Sequence, residues 1–167
     1  MIGLVPFLAL GPVGIAVYLA LPVYMVHQYE EHDADRFRAF VNALMPGRAG
    51  LSLRDVAVIN LVGVWALLLA TLWLTEFVSD GWGALAFYLL GINALLHVGQ
   101  AVAFRQYNPG LVTALVLFLP LSALLWVRLA GEASVIQHGA SALFILGLHI
   151  SILLRARRPA TNPTVTP

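Results

Sequence analysis

The sequence contains no cysteine and no lysine. The first absence excludes disulfides, thiolate metal sites and cysteine nucleophiles. The second excludes Schiff-base chemistry on a lysine amine. Charge is scarce as well: Asp, Glu, Lys and Arg make up 10% of the 167 residues, against about 25% in a soluble domain. Apolar residues take their place, at 60% of the chain and a mean hydropathy of +0.88. This composition points to an integral membrane protein, an all-α polytopic helical bundle in a single domain over residues 1–154. A formal net charge of +1 speaks against nucleic acid as a partner.

Five spans are expected, over about residues 2–26, 53–77, 82–104, 109–129 and 134–154. Each suits a hydrocarbon core of ~30 Å at ~1.5 Å per residue. The first lacks the basic start of a signal peptide and is interrupted by Pro6, Pro12 and Pro22, so it reads as a retained helix. Pro22 removes a backbone hydrogen bond, which predicts a kink there. Next, Phe37, Phe40, Val41, Leu44 and Met45 recur at helical spacing among Asp33, Arg36 and Asn42. That pattern predicts an amphipathic interfacial helix over about 32–45, ended by Pro46-Gly47. Ser52 with Asp55 is a capping-box signature. Asn108-Pro109 reads as a cap followed by proline at the first helical position. Arg105 and Tyr107 read as anchors of the third span. The tail over 155–167, with three prolines, reads as disordered.

Arginine sets the expected orientation. Arg36, Arg38, Arg48, Arg54, Arg105, Arg155, Arg157 and Arg158 fall on one side of a five-span bundle and Arg128 on the other. The positive-inside rule puts the first side in the cytoplasm, with the N-terminus outside and the C-terminus inside. The localisation read from this is the cell membrane.

The candidate site is built around His27-Gln28-Tyr29-Glu30-Glu31. At 100° per residue, His27, Glu30 and Glu31 lie within about 100° of arc on one helix face. Ionised groups are costly beside hydrocarbon, so an imidazole next to two carboxylates at a membrane boundary needs a reason. His97 and His149 reach the same depth from the third and fifth spans. Asn93, His97 and Gln100 form a polar stripe about 60° wide, which should face the bundle. Asn60 reaches that level from the second span. His138 falls at the opposite end.

Three histidines and a carboxylate can hold Zn²⁺, leaving an open position and a second carboxylate as base. The same donors suit Fe or Mn. The expected ligands are His27, Glu30, Glu31, His97 and His149, with Glu30 and Glu31 as the catalytic carboxylates. Asn60, Asn93 and Gln100 are the expected hydrogen-bonding support.

His27-x-x-Glu30-Glu31 after a first hydrophobic helix resembles the signature of the HXXEE-motif membrane protein family. The later block with Asn93, His97, Arg105, Tyr107-Asn108-Pro109-Gly110, Thr113 and Pro120 is similar to that family's pattern. The resemblance implies a small helical membrane protein whose histidines and glutamates form an enzyme site, without naming a reaction.

The leading expectation is a metal-dependent membrane enzyme acting on a lipid or other apolar substrate by hydrolysis or a related acid/base step. One alternative is a metal-free acid/base lipid isomerase, with Glu30 or Glu31 working against His97. Another is a transporter or a proton or metal carrier. The mostly apolar midplane speaks against a transport path.

Overall fold

The computed structural model describes residues 10–160. Helix α1 is Pro12–His32, α2 Arg36–Ala43, α3 Leu53–Phe77, α4 Ala84–Phe104, α5 Leu111–Leu129 and α6 Val135–Ala156. Among the described residues every regular element is helical, apart from one bridge between Arg48 and Pro159. Four helices, α3, α4 with its leading turn, α5 and α6, are long and apolar enough to cross a membrane. The remaining expected span, the first, begins in residues outside the described part. Its described portion is α1, which runs unbroken through Pro22 and ends at His32.

α4 sits at the centre, packed against α5 and α6, while α1 packs against α3 and α5. The core between them includes Val17, Ala20, Leu68, Leu89, Phe118 and Ile145. The faces turned away from it are apolar too: Leu61, Trp73, Leu143 and Phe144 are exposed. Apolar faces on both sides of a helix are what a lipid surrounding allows.

Several ends follow sequence chemistry. Ser52 and Asp55 form the expected capping box, and Ser134 with Gln137 forms another at the start of α6. Other details depart from expectation. The helix expected over 32–45 is divided. α1 continues to His32, a 3₁₀ turn follows at Asp33–Asp35, and α2 is limited to Arg36–Ala43. Ala34 and Asp35 take positive φ values of 51° and 60°, a backbone turn that continuous helix does not allow. Arg36 pairs with Asp33 and Arg38 with Asp35 across it. Asn108-Pro109 does not start α5. Gly110, at φ 96°, precedes the first helical residue Leu111, because the Asn108 side chain is engaged elsewhere. Residues 155–160 are also not loose. α6 continues to Ala156, Gly50 N–H donates to the Ala156 carbonyl at 3.0 Å, and Ala49 N–H to that of Arg158 at 2.9 Å. The remainder of the expected tail lies outside the described residues.

Two helices carry π-type segments, Ile59–Ala66 in α3 and Ala114–Phe118 in α5. The second ends two residues before Pro120, whose missing N–H leaves a carbonyl one turn back without its usual donor.

Candidate metal centre

Two histidines and one carboxylate meet where α1, α4 and the segment entering α5 converge. His27 and Glu31 lie one turn apart on α1, so their side chains share a face. His97 arrives from α4. Their ligand atoms all lie within 4.8 Å of one another, a group that can hold a metal ion. His27, Glu31 and His97 are 0%, 7% and 6% exposed. Glu31 Oε1 is 3.4 Å from His27 Nε2 and 3.3 Å from His97 Nε2.

The far side of each ring fixes its proton. Asn108 Nδ2 donates to the His97 carbonyl at 2.8 Å. That bond sets the amide's orientation, because a carbonyl only accepts. Asn108 Oδ1, 2.6 Å from His97 Nδ1, must then accept from Nδ1–H. On the other ring, His27 Nδ1 is 2.7 Å from Thr113 Oγ1. The Thr113 hydroxyl donates to Glu30 Oε2 at 2.5 Å, so it accepts from His27 Nδ1–H. With Nδ1 protonated, each neutral imidazole turns a bare Nε2 lone pair towards the Glu31 carboxylate. Electron-rich atoms facing one another in a buried site are stabilised by a proton or a metal ion between them. His27 Nε2 is buried without a hydrogen-bond partner, so the donor set fits a metal ion.

Gly110 is the third wall. A Cβ on it would stand 2.6 Å from His97 Cε1, 2.7 Å from His27 Cε1 and 3.0 Å from Glu31 Cγ. Its positive φ and this close approach both require glycine. Phe118 packs against His27 with the two rings tilted, their centroids 4.1 Å apart.

The remaining expected residues lie elsewhere. Glu30 was expected as ligand or base, but it turns away from the group. It accepts from Tyr107 O–H at 2.8 Å, Val112 N–H at 3.1 Å, Thr113 N–H at 2.8 Å and the Thr113 hydroxyl. These donors include free N–H groups at the start of α5, which a carboxylate suits well. Tyr107 is therefore more than an anchor. Partial burial, and its hydrogen bond to the Glu30 carboxylate, raise its phenol above the usual value. His149 does not join the group either. α6 packs against α4, and His149 Nδ1 is satisfied within its own helix by the Ile145 carbonyl at 2.8 Å. Asn60 bonds instead to His32 Nε2 at 2.8 Å, and that nitrogen lies 3.9 Å from Glu31 Oε2. Neither Asn93 nor Gln100 bonds to the three residues; Asn93 Oδ1 is buried without a partner.

Asn108, Gly110 and Thr113 are the residues that sequence reasoning did not place at the site. Their only signal was membership of the block that follows His97.

Comparison with curated proteins and with solved structures finds no match. A family model described as "Protein of unknown function with HXXEE motif" matches residues 18–125, a stretch that holds His27, Glu30, Glu31, His97, Asn108, Gly110 and Thr113. The chain therefore belongs to the HXXEE-motif family.

Proposed function

We propose that this protein is a divalent-metal-dependent membrane enzyme that acts on a lipid or other apolar substrate, by hydrolysis or a related acid/base step. The observation that carries the reading is the convergence of His27, Glu31 and His97, whose ligand atoms lie within 4.8 Å of one another while Thr113 and Asn108 hold the far ring nitrogens. Two histidines and a glutamate with a fourth position open are a recurring set for catalytic zinc; Fe and Mn also suit these donors. A divalent ion held there supplies Lewis-acid polarisation of a carbonyl or phosphoryl oxygen. His27, Glu31 and His97 hold it, while Asn108 and Thr113 keep the two rings in their ligating tautomer. Glu30 positions Thr113. His32, half-buried and 3.9 Å from Glu31 Oε2, takes the proton-handling role first expected of Glu30.

The proposed membrane arrangement has five spans, with α1 in the first. α1 is 21 residues long, and Val17, Ala20 and Tyr24 bury one of its faces in the bundle. The arginine distribution supports a cytoplasmic C-terminus and an outer N-terminus, and α2 then lies in the cytoplasmic interface. A substrate drawn from the bilayer follows from a buried site between apolar helices.

The test is direct. Protein purified without chelators is loaded with Zn²⁺, reconstituted into vesicles of membrane lipid extract, and the lipids are followed by mass spectrometry beside Glu31→Ala. A metal-dependent lipid product absent from the variant is expected. Identical lipid profiles for both would contradict the reading. Turnover that survives full metal removal would favour a proton in place of the metal between Glu31 and the histidines.

A further inference from the structure

A concavity opens between α3 and α6, at the end of the bundle where α1 finishes and α3 begins. Its mouth, of about 550 Å³, is lined by Arg54, Asp55, Arg155 and Arg158. An apolar arm of about 230 Å³ continues past Val62 and Gly63 on α3 and Phe144 and Leu148 on α6. Ile59 and Ile152 line both parts, so the two are continuous. No ligand of the metal centre lines either part, and the inference does not rest on the proposed chemistry.

The mouth carries an excess of positive charge. Asp55 Oδ1 accepts from Arg155 Nε at 2.6 Å, and its other oxygen accepts from Ser52 N–H at 2.9 Å and Ser52 O–H at 2.8 Å. Asp55 thus offsets Arg155. Among the described residues, Arg54 and Arg158 have no ion pair. Arg158 is held in place by its backbone: its carbonyl accepts from Ala49 N–H, and Pro159 bridges to Arg48. The apolar arm opens sideways, since Val58, Val62 and Phe144 are 52%, 63% and 57% exposed.

We infer that this groove binds one anionic phospholipid, with the phosphate between Arg54 and Arg158 and an acyl chain along Val62 and Phe144. A small polar anion would leave the apolar arm unfilled. A purely apolar molecule would leave two guanidinium groups without a counter-charge. An amphiphile with a negative head at the level of the helix ends satisfies both parts, and arginines at that level are where acidic lipid heads are attracted.

The test uses the full chain in detergent and native mass spectrometry, titrated with phosphatidylglycerol and with phosphatidylcholine of the same acyl chains. Phosphatidylglycerol should be held on the order of tenfold more tightly. The exposed double variant Arg54→Gln/Arg158→Gln should lose that preference. Gly63→Leu should weaken both lipids, because its Cβ would meet Leu148 Cδ1 at 3.4 Å and the longer side chain fills the arm. Equal retention of the two lipids by the wild type would overturn the inference, as would a preference that survives in the double variant. Displacement of phosphatidylglycerol by inorganic phosphate alone would overturn the assignment to a lipid.

Discussion

Thr113 and Asn108 touch the far nitrogens of the two rings, and their contribution should be read in affinity rather than in fold. Thr113→Val removes the acceptor that holds His27 Nδ1–H, and Asn108→Ala the one that holds His97. Each should weaken metal affinity by ~10–100-fold, measured by competition with a chromophoric chelator. An unchanged affinity would mean that the rings orient themselves. Gly110→Ala should be more disruptive than either. Its Cβ would collide with both rings, and φ of +96° is strained for any L side chain. Loss of metal binding with the helices still intact by circular dichroism is expected; full affinity would contradict the close packing. At this scale His27, Glu31 and His97 were legible because ionisable groups among apolar residues stand out. Asn108, Gly110 and Thr113 were not, because small polar residues and glycines near a helix start are ordinary in any sequence. Glu30 lies apart from the group for a physical reason. A carboxylate next to a ligand has the ligand's chemistry, but one residue is a 100° turn, and that turn points Glu30 at the start of α5.

Helix ends are where the elements are most sensitive to a single side chain. Ser52 caps α3 and also holds the Asp55 carboxylate that pairs with Arg155 on α6. Ser52→Ala should lower stability by about 1 kcal/mol, seen as a lower denaturation midpoint in detergent; a midpoint equal to that of the wild type would show that the cap contributes nothing. Such polar caps are legible, since Ser with an acidic or amide side chain three residues on has a local mechanism. The π segments are not. Ile59–Ala66 and Ala114–Phe118 are apolar throughout apart from Asn60, and nothing in their composition separates a π turn from an α turn. The division between α1 and α2 was hidden too, because the positive φ values fall on Ala34 and Asp35 rather than on glycine. Helical periodicity read across that break gave one amphipathic helix in place of a turn and a shorter one.

On the scale of the whole molecule, the bundle brings two histidines from helices seventy residues apart onto one carboxylate, and leaves every arginine but Arg128 at that same end. The four apolar helices were legible from length and composition alone. Which histidines meet was not, because convergence depends on which helix packs on which: α1 and α4 bring His27 and His97 together, whereas α6 keeps His149 within its own turn. The proposed orientation predicts that a reporter fused at the C-terminus is active only inside the cell and one inserted at Asp80 only outside. A C-terminal reporter active outside would reverse it. The claim on which the functional account depends is that His27, Glu31 and His97 share one metal ion. Element-resolved mass spectrometry of chelator-free protein, beside His97→Ala and His149→Ala, tests it most directly. The account predicts about one divalent ion per chain, lost in His97→Ala and retained in His149→Ala; a metal-free wild type, or equal metal in all three proteins, would contradict it.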